Sequence, residues 1–239
     1  MHKRTMYWLI GIVAVALLLW FGMRGGGSDQ AGEVPQGQGA QGAVEQGVHH
    51  PQAGTAEDHV RGYMGEQDAV MAEMMRAMEA VEPSGSAALD FLDGMIPHHA
   101  AAIAMAESYL GHGGADGTLR RIAQDVAATQ RQEIDEMQRM AQALRENGRK
   151  DAEKEAAYLE AYRTMLTQHH AAHSVPAAGM DEAFAEGMLL HHQMAVDMSK
   201  AALQHVQEED VRALAQRIIE AQEREIGEMQ DVLKRLRQV

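Results

Sequence analysis

Phe91-Leu-Asp-Gly-Met-Ile-Pro-His-His99 and Phe184-Ala-Glu-Gly-Met-Leu-Leu-His-His192 are two versions of one motif, 93 residues apart. A second motif, Gln130-Arg-Gln-Glu-Ile-Asp-Glu-Met137, returns 92 residues later as Gln222-Glu-Arg-Glu-Ile-Gly-Glu-Met229. Apolar residues around both motifs have helical spacing, so the repeated unit is a pair of helices that occurs twice. We expect a duplicated αα-hairpin to close as a four-helix bundle with a pseudo-twofold axis.

Composition also favours an all-α protein. Aromatic residues make up only 4% of the 239 residues, while Ala, Met, Gln and Glu, which are strong helix formers, abound. The net charge of -14 disfavours nucleic acid as a partner, because an acidic surface repels phosphates. The chain has no cysteine, which excludes disulfides, thiolate metal sites and cysteine catalysis.

Residues 1–24 are predicted to be a signal anchor that crosses the membrane once. Lys3 and Arg4 precede an apolar run over residues 6–23, which as a helix spans about 27 Å, near the lower limit for a bilayer. No small-residue cleavage site follows, so we favour an uncleaved anchor over a cleaved signal peptide. The two basic residues hold the N-terminus in the cytoplasm. The anchor is then expected in the inner, cytoplasmic membrane, with the bundle on its periplasmic or extracellular side.

The rest of the chain divides into a tether and a bundle. Residues 25–60 are rich in Gly, Gln and Ala and are predicted to be flexible. Ser84 or Ser86 is expected to cap the first repeat helix, and Asp210 to cap the last. An extra helix is expected between the repeats, where apolar residues recur with helical spacing. The predicted bundle is 61–239, with repeat 1 at 86–147, a connector at 148–180 and repeat 2 at 181–238.

The first motif of each repeat carries candidate metal ligands. On a helix, a Met, a His-His pair and a later Met lie on one broad stripe, the face that a bundle helix turns toward its partners. Burying histidines there costs free energy unless they are hydrogen-bonded or ligated. The predicted ligands are Met95, His98, His99, Met105, Met188, His191, His192 and Met198.

The second motif places more polar groups and a thioether on the facing helices. Glu133 and Glu225 can ligate a metal, but we favour their accepting a hydrogen bond from a ligating imidazole. An ordinary amphipathic helix with Glu at its boundary is the competing interpretation. The predicted supporting residues are Gln130, Glu133, Met137, Gln222, Glu225 and Met229.

The donor types select the metal. Imidazole suits Zn, Cu, Fe and Ni, whereas thioether selects Cu(I), so only copper uses both well. Copper is therefore the predicted cofactor, as Cu(I), Cu(II) or both. Pro97, which is replaced by Leu190 in the second repeat, is expected to kink its helix, so the two sites should be similar but not identical.

These motifs resemble those of the DUF305 family, over roughly residues 86–238 and in both halves. The resemblance implies a ferritin-like four-helix bundle and an exported copper-binding protein linked to copper tolerance. It nominates the two His-His pairs and their flanking methionines as ligands. The expected function is copper buffering, sequestration or hand-over near the membrane, with copper ions as the partner and an unidentified delivery protein as a possible second one.

Two other functions remain open at the level of sequence. One is a di-iron oxidase or metal store on the same fold, although the repeats lack the Glu-x-x-His spacing of such sites. The other is a structural or interaction bundle without metal. No nucleophile or nucleotide-binding loop is recognisable, so no catalytic residue and no enzymatic activity are predicted.

Two further clusters have metal binding as the less favoured alternative: packing is the favoured role of the first, and no specific role is favoured for the second. The first is a methionine stripe, Met71, Met74, Met75 and Met78, predicted on a helix from about residue 62 to 81. The second is His169, His170 and His173.

Overall fold

The fold rests on six helices. A computed structural model describes residues 56–170 and 177–238, and within these ranges every regular element is helical. The all-α prediction is confirmed. The predicted anchor, nearly all of the predicted tether, and His173 lie outside the described residues. The helices are α1 Ala56–Glu79, α2 Ala87–Gly111, α3 Gly117–Asn147, α4 Ala152–His170, α5 Met180–His205 and α6 Glu209–Leu236.

Polar side chains define where several helices begin. Ser86 caps α2 by accepting a hydrogen bond from the Leu89 amide, as predicted. Asp116 caps α3 through the amides of Thr118 and Leu119. The prediction that Asp210 caps the last helix is wrong. Asp210 lies in the first turn of α6, where its charge favours the helix dipole, and the N-cap position is Glu208.

Helices α2 and α5 form the centre of the bundle. α3 packs on α2, α6 packs on α5, and α2 contacts α5. α2 and α5 bury residues on most of their circumference, whereas α3 and α6 each bury one stripe. The four repeat helices therefore pack pairwise, an arrangement compatible with the predicted four-helix bundle.

Helices α1 and α4 make the repeated unit longer than predicted. The sequence indicated two helices per repeat and one extra connecting helix. In the structure α1 packs mainly on α2, and α4 packs mainly on α5, so α1–α2–α3 and α4–α5–α6 follow the same order. Sequence comparison missed this equivalence because α1 and α4 share none of the His and Glu motifs that define the repeats.

The chain directions of α2 and α5 are opposite where the two helices cross. Tyr109, near the end of α2, stacks on Phe184, near the start of α5, with ring centroids 4.1 Å apart. The Met105 methyl lies 3.4 Å from the position of a β-carbon at Gly187. Residues after the histidines of α2 thus meet residues before the histidines of α5.

One ion pair joins the two motif helices of each repeat, and the acidic and basic partners change places between the repeats. Glu107 of α2 pairs with Arg131 of α3. At the corresponding positions of the second repeat, Lys200 of α5 pairs with Glu223 of α6 over 2.8 Å. The two repeats therefore use the same positions with exchanged charges.

None of the helices in the described residues is long and apolar enough to cross a membrane.

Candidate metal centre

The four motif histidines lie at the crossing of α2 and α5. His98 and His99 come from α2, and His191 and His192 come from α5. All four have 0% exposed surface, which bears out the prediction that they face inward. Each repeat thus contributes one adjacent pair of imidazoles to the centre of the protein.

His98 and His191 form a reciprocal pair. The Nε2 atom of His98 lies 3.0 Å from the carbonyl oxygen of His191, and the Nε2 atom of His191 lies 3.0 Å from the carbonyl oxygen of His98. A carbonyl oxygen only accepts, so each Nε2 carries the proton and donates. The ring centroids are 3.7 Å apart.

His99 and His192 each donate to a glutamate of the adjacent helix. The Nε2 atom of His99 lies 2.9 Å from Glu133 Oε2, and the Nε2 atom of His192 lies 2.7 Å from Glu225 Oε2. The sequence predicted that each glutamate accepts a hydrogen bond from an imidazole, without assigning the histidine, and the structure shows both bonds. A carboxylate on one ring nitrogen fixes the tautomer and raises the basicity of the other nitrogen.

The second nitrogen of every motif imidazole is buried without a hydrogen-bond partner. This holds for the Nδ1 atoms of His98, His99, His191 and His192. Buried polar atoms normally have a partner, so four such lone pairs in one region require an explanation. The arrangement suits a ligand that accepts an electron pair, such as a metal ion.

Burial keeps the reciprocal pair neutral. It lowers the pKa of His98 and of His191 well below that of an exposed histidine, and the charges of neighbouring histidines lower both further. Neutral imidazole is the form that ligates metals. The electrostatics of the crossing therefore favour the ligating state at neutral pH.

The motif methionines lie on opposite sides of the histidine crossing. Met95, Met137 and Met198 belong to one buried apolar cluster, and Met105, Met188 and Met229 belong to the other. Met95 and Met105, which the sequence places on one stripe of α2, therefore belong to different clusters. Ten helical residues separate the two by about 15 Å, too far for one coordination sphere.

Each methionine group therefore draws on both repeats. Because α2 and α5 cross in opposite directions, Met95, before the histidines of α2, lies in the same cluster as Met198, after the histidines of α5. In the same way, Met188 of α5 lies in the same cluster as Met105 of α2. A third methionine joins each group from α3 or α6.

Gln130 and Gln222 are buried on the inner faces of α3 and α6. In each, the side-chain Oε1 atom has no hydrogen-bond partner. They occupy equivalent positions one turn before the glutamates that hold His99 and His192. Their amide oxygens are available to accept a hydrogen bond from a ligand or a water molecule.

Carboxylates and imidazoles do not converge into a metal-binding group of three in the described parts of the chain. Glu133 and Glu225 each contact a different histidine. Among the described residues, imidazoles and carboxylates alone therefore do not supply a complete donor set at this centre.

The other candidate clusters have different surroundings. Three methionines of the α1 stripe are buried in the apolar cluster that holds Met95, and the fourth packs partly buried against it; these are Met74, Met75, Met78 and Met71. His169 lies in α4 and contacts Asp197 of α5. The side chain of His170 and the whole of His173 lie outside the described residues.

Sequence reasoning missed Asp181, which holds the two repeats together away from the histidines. Its carboxylate accepts hydrogen bonds from the Tyr109 hydroxyl and from the amides of Ala115 and Asp116. A lone carboxylate in a helix's first turn gives no signal of a contact so distant in sequence.

An all-α protein with a duplicated, buried imidazole centre is the class defined by this fold and site. The family model described as "Domain of unknown function (DUF305)" matches the chain twice, over residues 28–141 and 88–233. The chain therefore belongs to the DUF305 family. The two matches overlap, as expected for a chain that contains the repeat twice. No curated protein and no solved structure matches it.

Proposed function

We propose that this protein binds copper at the crossing of α2 and α5, and that it buffers, sequesters or hands over the metal. The observation that carries the proposal is the set of four buried Nδ1 atoms without partners. Their Nε2 protons are held by a carbonyl oxygen or a carboxylate, so Nδ1 is the donor in all four imidazoles.

Methionine thioethers support copper as the metal. Each side of the crossing has three buried motif methionines within its apolar cluster. Thioether sulfur prefers Cu(I), while imidazole binds copper in both oxidation states. Zinc and iron gain little from thioether donors. A low-dielectric surrounding also favours the singly charged Cu(I) over divalent ions, because burying charge costs free energy.

The proposal includes the architecture and the location inferred from sequence. The four repeat helices form a ferritin-like bundle, and α1 and α4 cover it. Residues 1–24 anchor the chain in the cytoplasmic membrane, and residues 25–60 tether the bundle on the periplasmic or extracellular side. No catalytic role is part of the proposal.

Metal competition on the full chain tests the proposal. Equal Cu(I), Zn(II) and Fe(II) are offered without oxygen, weakly bound metal is removed, and each metal is counted per chain. The test variant replaces His98, His99, His191 and His192 by Gln, which keeps a side-chain amide donor but has no Nδ1 lone pair. The matched control replaces His112 and His205, which lie outside the crossing, by Gln.

Each result has a definite meaning. Copper retained by the parent and by the control but lost by the test variant supports the proposal. Iron retained instead supports the di-iron alternative. Absence of bound metal in the parent supports a structural or interaction bundle. Circular dichroism establishes that the test variant is still helical, so that loss of copper reports loss of ligands.

A further inference from the structure

His169 and Asp197 form a third histidine–carboxylate pair next to the buried centre. The Nε2 atom of His169 in α4 lies 3.2 Å from Asp197 Oδ2 in α5. Gln193 donates to the other carboxylate oxygen over 3.0 Å, which fixes the orientation of Asp197. As in the His192–Glu225 pair, the carboxylate holds the Nε2 proton, and Nδ1 is left as the donor for a metal ion.

This pair differs from the buried pairs in its exposure. The side chain of Asp197 is 39% exposed and that of His169 is 12% exposed, whereas His192 is fully buried. A cation in solvent therefore reaches this pair without any opening of the bundle. The exposed carboxylate also attracts a cation from solvent electrostatically.

The pair is joined to the centre by methionine. His191, Met194 and Asp197 follow one another along α5 at intervals of three residues. Each side chain is therefore adjacent to the next on one side of the helix. On α4, Met165 lies one turn before His169, and both Met165 and Met194 are buried in the same apolar cluster.

The first repeat lacks these features. Gln193, Met194 and Asp197 correspond, at the offset of 93, to alanines in α2, namely Ala100, Ala101 and Ala104. Packing alone does not demand a carboxylate and a glutamine at these places, because the first repeat forms the same helix without them. The second repeat therefore has polar side chains between its buried histidines and the surface, whereas the first repeat has alanines there.

We propose that His169 and Asp197 form a capture site for copper ions, from which the metal passes along Met194 to the buried histidines. This inference rests on the proposed function and names the side from which the metal is loaded. His169 binds the ion through Nδ1, and Asp197 fixes the ring and attracts the cation. No bond is made or broken other than metal–ligand bonds, which are exchanged one at a time.

Loading kinetics of the full chain test the inference. Cu(I) is presented in a coloured chelator complex without oxygen, and its transfer to the protein is followed by stopped-flow absorbance. His169→Gln keeps a donor toward Asp197 but removes the Nδ1 lone pair, and Asp197→Asn removes the charge. Each is expected to slow loading by about tenfold or more, the lower range of electrostatic focusing. The equilibrium affinity should stay within about threefold, because neither residue holds the metal at the end.

His112→Gln is the matched control. His112 makes an equivalent contact with Glu66, over 3.0 Å between Nε2 and Oε2, but at the far end of α2. It should load at the parental rate. Parental loading in both test variants, equal slowing in the control, or a loss of affinity as large as the loss of rate overturns the inference. A parent that binds no copper overturns the proposed function as well, whereas the first three outcomes leave that function standing.

Discussion

His98 and His191 each donate a hydrogen bond to the other's main-chain carbonyl oxygen, both over 3.0 Å. The two residues are 93 positions apart, so this closed pair joins the duplicated halves at their centre. A hydrogen bond to main chain does not depend on which side chain lies opposite. The pair can therefore hold the ring orientation of both histidines even where the surrounding residues of the repeats differ.

The metal-free protein should lose stability as pH falls below about 6.5, the usual pKa of histidine. Burial holds the pKa of His98 and His191 well below that value, so the unfolded chain binds protons that the folded chain does not. Each residue then costs about 1.4 kcal/mol of unfolding free energy per pH unit, until the folded protein also binds the proton. Urea unfolding at pH 7.5 and 5.5 measures this loss.

The double variant His98→Gln, His191→Gln is the control for this pH effect. Gln does not titrate, so its unfolding free energy should change less between the two pH values. Buried Asp90, whose pKa burial raises to about 6, acts in the opposite direction in both proteins and cancels in the comparison. Equal pH dependence in parent and variant would contradict the assignment.

Replacing Glu133 or Glu225 by Gln should lower copper affinity by about 10- to 100-fold, the usual effect of removing a carboxylate behind a ligating histidine. Gln still accepts a hydrogen bond from the imidazole but does not increase its basicity. Glu136→Gln, on the same helix as Glu133 but paired with Arg217 at the surface, should have no such effect. Competition with a chelator of known affinity gives the three values, and unchanged affinity in both test variants would show that the carboxylates play no part.

Methionine pairs from opposite repeats should act together in metal binding. Met95→Leu and Met198→Leu are nearly volume-conserving, so they should remove thioethers with little effect on packing. In a double-mutant cycle on copper affinity, Met95 should couple to Met198 and be additive with Met105. Coupling between Met95 and Met105 instead would mean that each repeat forms its own site.

The two motif glycines should respond differently to Ala. A β-carbon at Gly94 would lie 2.9 Å from the Tyr162 hydroxyl, which donates to the Met78 carbonyl, and 3.2 Å from its ring. Gly94→Ala should therefore destabilise the protein by about 1–3 kcal/mol through overpacking.

Gly187→Ala meets only the flexible end of Met105 at 3.4 Å, and should be neutral or stabilising by up to about 1 kcal/mol. Thermal unfolding of the two variants compares the equivalent positions directly. A greater loss in Gly187→Ala than in Gly94→Ala would contradict the packing described for α4.

The sequence predicted the duplicated motifs, and it predicted the properties that depend on a single helix, such as which face is buried. Helical spacing placed the four histidines on inner faces, and placed Glu133 and Glu225 on the facing helices, where an imidazole was expected to donate to each. Metal binding itself stays a prediction. Periodicity tells which face of a helix is buried, but not which helix covers it.

The direction in which α2 crosses α5 is set by long-range packing, so no local pattern grouped Met95 with Met198, or Met105 with Met188. The same limit applies to the equivalence of α1 and α4. Helices that mainly cover a core need only apolar residues of suitable volume, and many different sequences meet that need. Tyr63 of α1 and Tyr158 of α4 are both buried aromatic residues, yet little else in the two helices corresponds. Their common position is visible only once the chain is folded.

In a protein made of two similar halves, each helix has to pack against the partner helix of its own half and not against the equivalent helix of the other half. If α2 paired with α6, Glu107 would meet Glu223, and if α5 paired with α3, Lys200 would meet Arg131. The exchanged charges of the Glu107–Arg131 and Lys200–Glu223 pairs therefore give each hairpin its own polarity. During synthesis, and in the presence of other copies of the chain, that polarity disfavours pairing of a helix with the partner helix of the other hairpin.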